Sequence, residues 1–161
     1  MQTVTVAIAD TDAGRRAKLE QSLQEGSGIE VLTDVMSDLD GIPAAHELEP
    51  HKNLVSTEDV IARITQLKPR ILFVNLDLSI ERECALLEAL QRTCPETLVL
   101  LLTDKSVQEE QIIQALANGA RGCLSHETDP LYFLKAVRVV DRGEIWVTRQ
   151  MLGKIMDRVL H

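Results

Sequence analysis

Polar side chains follow four short apolar runs of the sequence, each at the point where a β-strand is expected to end. The four groups are Asp10-Thr11-Asp12, Asn75-Leu76-Asp77, Thr103-Asp104 and Ser125-His126. Because parallel strands of an open α/β sheet end at one edge, where ligands bind, these side chains are expected to converge there. Carboxylates in such a place can hold a divalent cation through their oxygens and accept a phosphoryl group.

Asn75 is an amide at the position where this chemistry requires a carboxylate. It lies near the end of the apolar run 71–76, which is typical of a strand buried on both faces. Asparagine is neutral, offers no anionic oxygen to a cation and cannot form an acyl phosphate. Whether the site is a working or a disabled phosphoryl acceptor therefore depends largely on this residue.

The composition is that of an ordinary globular protein with an acidic balance. The 161 residues carry a net charge of −8, which opposes binding to DNA phosphates or to an anionic membrane. Aromatic residues are only 2%, so a base-stacking platform for single-stranded nucleic acid is not expected. No stretch approaches the roughly 18 apolar residues of a membrane span. The three cysteines lack C-x-x-C spacing, so reduced thiols and a cytoplasmic location are expected.

Strand and helix patterns alternate along the chain. The predicted strands are Val4–Ala9, Ile29–Thr33, Ile71–Leu76, Leu98–Leu102 and Gly122–Ser125. The predicted helices run from about Asp12 to Glu25, Ser56 to Leu67, Ile80 to Arg92, Ser106 to Asn118, Pro130 to Arg142 and Thr148 to Leu160. Five strand–helix units in a row predict a parallel sheet with right-handed crossovers and helices on both faces.

Residues 36–54 do not fit this alternation. They place about 19 residues between the second strand and the second helix, where 2–6 are usual. The segment is acidic and contains two prolines, which favours a solvated insertion. A docking loop and a metal site using His46 and His51 are the alternatives.

Apart from this insertion, the whole chain resembles a response-regulator receiver domain, the flavodoxin-like switch of bacterial two-component signalling. The resemblance depends on Ala9-Asp10-Thr11-Asp12 with Arg16 and Leu19, the spacing from Asn75 to Leu86-Leu87, Leu102-Thr103, the run from Asn118 to Leu124, and the tail from Ala136 to Val147. The last two stretches are the most specific. They are closest to the branch that precedes a LuxR/NarL-type helix-turn-helix.

This resemblance implies a doubly wound, five-stranded parallel sheet with strand order 2-1-3-4-5. Residues 1–143 would form the receiver-like domain, and residues 144–161 a linker segment with an extra helix. That helix carries an apolar stripe made of Met151, Leu152, Ile155, Met156, Val159 and Leu160. The stripe is expected either to pack on its own domain or to seal a homodimer.

The resemblance also implies a phosphorylation pocket at Asp10, Thr11, Asn75, Thr103 and His126. Asp10 matches the first of two receiver acids, whereas Thr11 replaces the second, and Asn75 replaces the phosphoacceptor aspartate. These two changes leave Asp10 as the only matched carboxylate, so Mg²⁺ binding is expected to be lost and no metal or other cofactor is expected.

Two further positions depart from the receiver pattern and one is kept. Thr103 keeps the switch hydroxyl, His126 replaces the lysine, and Cys123 replaces the switch aromatic. A histidine with an ordinary pKa near 6.5 is a poor lysine substitute at neutral pH. Because two acids are lost together with the lysine, the pocket stays electrostatically compatible without a cation.

The sequence therefore predicts a pseudo-receiver, a regulatory interaction module that is not an enzyme and does not depend on phosphorylation. It would stand alone or form the N-terminal part of a transcriptional regulator, without binding DNA or membrane itself. A protein partner or a second copy would dock through helices 4–5, helices 1–5 or the C-terminal helix. The alternative is a receiver phosphorylated at a displaced acceptor, Asp77, with Mg²⁺ held by Asp10 and Asp12.

Overall fold

The computed structural model of the chain describes residues 3–10, 12–26, 28–32, 57–75, 80–103 and 109–160. The predicted insertion at 36–54, with His46 and His51, lies outside the described residues, as do Thr11 and Asp77. None of the described helices is both long enough and apolar enough to cross a membrane.

Five parallel strands form a single sheet. They are β1 (Val4–Ala9), β2 (Ile29–Leu32), β3 (Ile71–Asn75), β4 (Leu98–Thr103) and β5 (Gly122–Ser125). Their order across the sheet is β2-β1-β3-β4-β5. In the register, Val6 of β1 pairs with Ile71 of β3, which in turn pairs with Leu98 of β4. The predicted strand order and parallel pairing are confirmed.

Six helices are described around this sheet. They are α1 (Ala13–Gln24), α2 (Thr57–Leu67), α3 (Ile80–Thr93), α4 (Glu109–Ala117), α5 (Pro130–Asp141) and α6 (Arg149–Leu160). The start of α1 follows from the predicted cap, since the Asp12 side chain accepts a hydrogen bond from the Arg15 backbone N–H. Asp129 caps α5 in the same way, and Pro130 follows at the first helical position.

The sheet separates two apolar layers. Side chains alternate along β3, so that Ile71 and Phe73 enter the layer under α1 and α5, while Leu72 and Val74 enter the layer under α2, α3 and α4. Both central strands, β3 and β4, are buried at every position. Each fully buried large aliphatic or aromatic side chain stabilises the fold by about 1.5–3 kcal/mol relative to exposure. The polar strand ends are thus held on a rigid frame.

The segment after α5 returns to the sheet edge. The Trp146 backbone N–H donates to Arg121 O, and Trp146 O accepts from the Cys123 N–H at 3.1 Å. This contact requires glycine at position 122, because a Cβ there would lie 2.4 Å from Trp146 O.

The α6 helix then packs against α4, with Met151 and Ile155 half-buried on the apolar layer under α2, α3 and α4. Lys154 and Glu109 form an ion pair between the two helices. Part of the predicted stripe therefore packs on its own domain, while Leu152 and Met156 remain exposed.

Candidate functional site

The ends of neighbouring strands bring three of the predicted site residues into one hydrogen-bonded chain. Asp10 follows β1 and Asn75 ends β3, and each side chain is only 1% exposed. Asn75 Nδ2 lies 3.3 Å from Asp10 Oδ1, and Asn75 Oδ1 lies 3.0 Å from His126 Nε2. The predicted convergence at the carboxyl edge of the sheet is therefore present for these residues.

The direction of this chain follows from the chemistry of its members. An ionised carboxylate only accepts hydrogen bonds, so the NH₂ group of Asn75 faces Asp10. The amide oxygen is then left for His126, whose Nε2 must carry a proton to donate to it. Asn75 thus connects a buried carboxylate to a partly buried imidazole, a role in which aspartate would place two acceptors face to face.

Thr103 joins the site through the backbone. Its carbonyl oxygen accepts from the His126 N–H at 2.9 Å, and its buried hydroxyl donates weakly to Leu124 O at 3.4 Å. Cys123 lies elsewhere, against the apolar layer that α6 covers, and burial raises the pKa of its thiol. The predicted switch position is therefore beneath the C-terminal segment.

Arg15 is the site residue that the sequence reasoning missed. Its guanidinium holds Asp10 at two points, Nε to Oδ2 at 3.0 Å and Nη2 to Oδ1 at 3.1 Å. Asp10 also accepts from the Asp12 N–H at 2.9 Å, and Arg16 Nη1 donates to the Asp10 carbonyl. A buried carboxylate needs such a partner, and the planar guanidinium fits it at two points.

A signal for Arg15 was present in the sequence. Arg15 and Arg16 lie in the first turn of α1, which contains no acidic residue. Cations are unfavourable at a helix N-terminus because they oppose the helix dipole, so two arginines there indicate a specific acceptor nearby. Asp10, with its side chain and its carbonyl, is that acceptor.

Asp12 is committed to capping α1. Its Oδ1 accepts from the Arg15 N–H at 3.0 Å, and this hydrogen bond, followed by the Arg15 charge, holds the pKa of the carboxyl below its ordinary value of 3.8. The cap therefore occupies one of the two Asp12 carboxylate oxygens. The alternative with a displaced Mg²⁺ would need the Asp12 carboxylate as a metal ligand.

The donor set of the described residues does not fit a hard divalent cation. Among the described residues, no group of three or more His, Cys, Asp or Glu side chains is placed to hold a metal ion. Within the described part of the pocket, Asp10 is the only carboxylate among the matched positions, and Arg15 already pairs with both of its oxygens. Magnesium prefers several anionic oxygens at octahedral positions, which an amide and an imidazole do not supply.

Sequence comparison gives no match, either to a protein-family model or to a curated protein. Solved structures do match in fold. The chain is 22% identical to a LuxR family DNA-binding response regulator from Silicibacter pomeroyi, covering 91% of this chain and 98% of that one, with a TM-score of 0.63.

Two receiver domains are similarly close in structure. The signal receiver domain of the putative response regulator NarL from Mycobacterium tuberculosis is 17% identical, with 89% and 100% of the two chains covered and a TM-score of 0.65. The isolated REC domain of RcsB from Salmonella enterica serovar Typhimurium in the apo form is 16% identical, with coverage of 96% and 99% and a TM-score of 0.69. With its 2-1-3-4-5 sheet, the chain has the flavodoxin-like receiver fold of LuxR/NarL-type response regulators.

Proposed function

We propose that this chain is a pseudo-receiver, a regulatory module that acts through protein contacts and does not depend on phosphorylation. The observation that carries the proposal is the network Arg15–Asp10–Asn75–His126. In it, a guanidinium belonging to the chain itself neutralises the buried carboxylate, and an amide stands where a phosphoacceptor would be. Because this charge is balanced within the chain, the pocket is proposed to need neither a metal ion nor a phosphoryl group.

Each member of the network opposes phosphoryl transfer for a separate reason. Asn75 has no anionic oxygen to attack phosphorus. Asp10 is paired with Arg15, so a cation that enters must displace a two-point charge-assisted contact. His126 donates to the Asn75 amide, which holds that amide in place. The chain is accordingly proposed not to be an enzyme, even for its own modification, and to need no Mg²⁺.

The output is proposed to pass through α5, α6 and the segment between them, which carry exposed apolar side chains. These side chains are Leu131 and Tyr132 at the start of α5, Ile145, and Leu152 and Met156 on α6. A protein partner or a second copy of the chain would cover them. With a net charge of −8, the chain itself is unsuited to DNA, so any DNA binding would belong to another part of a longer cytoplasmic regulator.

Intact mass spectrometry tests this proposal directly. The wild-type chain is incubated with acetyl phosphate and Mg²⁺, beside the Asn75→Asp variant and the Asp77→Ala variant. The proposal predicts no phosphoryl adduct on the wild-type chain. An adduct that Asp77→Ala removes would establish the displaced acceptor instead, and an adduct that survives in Asp77→Ala would also contradict the proposal.

A further inference from the structure

A cleft of about 370 Å³ opens beside the network, between α1 and the loop that leads from β5 to α5. Its floor consists of Leu19, Leu102 and Phe133, which belong to the apolar layer under α1 and α5. This volume is at the lower end of the range of small-molecule sites, which are largely apolar with a few polar groups at the edge.

Charged side chains of opposite sign stand on the two walls of this cleft. Arg15 and Lys18 come from α1, whereas Glu127 and Asp129 come from the loop on the other side. Arg15 and His126 both line the cleft, and they are the two ends of the network that contains Asp10 and Asn75. A molecule in the cleft would therefore touch the network at both ends.

We propose that this cleft binds a small monocarboxylate with an apolar body, and that its occupancy takes the place of phosphorylation as the input signal. The carboxylate would lie against Lys18 and the guanidinium of Arg15, and the apolar body on Leu19, Leu102 and Phe133. Glu127 and Asp129 oppose a second negative charge, so phosphate esters and dicarboxylates are excluded. The signalling role rests on the pseudo-receiver function proposed above, whereas the binding site does not.

The coupling between ligand and network follows from the donors of Arg15. Two N–H groups of the Arg15 guanidinium donate to the Asp10 carboxylate, Nε to Oδ2 and Nη2 to Oδ1. A ligand carboxylate competes with Asp10 for this planar donor set, so it changes how tightly Asp10 is held. That change passes to Asn75 and then to His126, whose backbone N–H is bonded to the end of β4.

An NMR titration of the ¹⁵N-labelled full chain tests the site. The probes are 4-methylpentanoate and phenylacetate, their amino-acid counterparts leucine and phenylalanine, and the dianions glutarate and phenyl phosphate. We expect saturable shifts in α1 and residues 126–133 for the monocarboxylates, with a dissociation constant of about 1 mM or lower. Response to the amino acids identifies a zwitterionic ligand, and response to the deaminated acids alone identifies a simple acid. Either supports the site.

Two variants with matched controls locate the binding. Ser22→Trp should weaken binding, because the indole fills the cleft. Gln21→Trp is its control, since it places the same side chain on α1 at a residue that does not line the cleft. Lys18→Gln should weaken binding about fivefold, whereas Lys135→Gln, on α5 outside the cleft, should leave it unchanged.

Three results would overturn the binding site. The first is no saturable shift for any monocarboxylate, and the second is tighter binding of phenyl phosphate than of the monocarboxylates. The third is undiminished monocarboxylate binding by both single variants, Ser22→Trp and Lys18→Gln. A phosphoryl adduct in the mass experiment would instead overturn the pseudo-receiver function while leaving this titration unchanged, so the two failures are distinguishable.

Discussion

Replacing Arg15 with methionine should leave the Asp10 carboxylate buried without its guanidinium partner. Removing one member of a buried pair costs about 3–5 kcal/mol, whereas an exposed pair contributes less than about 1 kcal/mol. Asp10 is 1% exposed and Arg15 is 35% exposed, so the pair lies between these limits. The Asp12 N–H and the Asn75 amide still hold the carboxylate after the change. We therefore expect a loss of about 2–3 kcal/mol in the free energy of unfolding.

Urea denaturation at neutral pH measures this loss, and a thermal scan should show a Tm lower by about 5–10 °C for a chain of this length. Arg142→Met is the matched control, because Arg142 Nε contacts Glu144 Oε2 at the same distance, 3.0 Å, but both side chains are exposed. That control should cost less than about 1 kcal/mol. If Arg15→Met costs no more than Arg142→Met, the guanidinium does not neutralise the site and the reasoning is refuted.

A second variant separates the charge from the packing. Asp10→Asn removes the buried charge, so the Arg15→Met change made on that background should cost much less than on the wild type. A double-mutant cycle should give a coupling energy of about 2 kcal/mol between the two positions. Simple additivity would indicate that Arg15 stabilises the fold by its stem contacts rather than by pairing with Asp10.

Three other predictions follow from single contacts. Asp12→Ala should lower the Tm at pH 7. Because the folded pKa of this carboxyl is below its ordinary value of 3.8, the difference should shrink as the pH falls through that folded value, and a pH-independent difference would contradict the lowered pKa. Gly122→Ala should lower the free energy of unfolding by about 1–3 kcal/mol and speed hydrogen exchange in α6, because the new Cβ meets Trp146 O. Gly153→Ala, with open space around it, should instead stabilise the chain by up to about 1 kcal/mol. Burial raises the pKa of the Cys123 thiol, so iodoacetamide at pH 7.5 should alkylate this thiol more slowly than it alkylates glutathione. Peptide mass mapping measures the labelling, and faster labelling of Cys123 would contradict its burial.

Much of the fold follows from local patterns in the sequence. The run Leu98–Leu102 is buried at all its positions, as its uniform apolar character predicts for a central strand. The start of α1 follows from Asp12, because a cap depends only on residues two or three positions away. Such features need no knowledge of what the chain packs against.

Features that depend on tertiary contacts could not be predicted from the sequence in the same way. The pairing of Arg15 with Asp10 needs a long side chain to turn back over the helix start, and residue type alone does not specify that direction. The apolar stripe of α6 is compatible with packing on its own domain or on a second copy, so the sequence alone did not show that Met151 and Ile155 pack on the layer that includes α4. The strand ends predicted that Asn75 and His126 would be neighbours, but not that they bond.

The amide NMR spectrum of the wild-type chain, recorded before and after addition of Mg²⁺ and acetyl phosphate, shows whether the pocket responds to a cation or a phosphoryl donor. It reports metal binding, phosphorylation and any conformational response in one measurement. For a phosphorylation-independent module, the two spectra should superimpose at Asp10, Asn75, Thr103 and His126. Saturable shifts at these four residues would show that the pocket still responds to a cation or a phosphoryl group, which contradicts a phosphorylation-independent module.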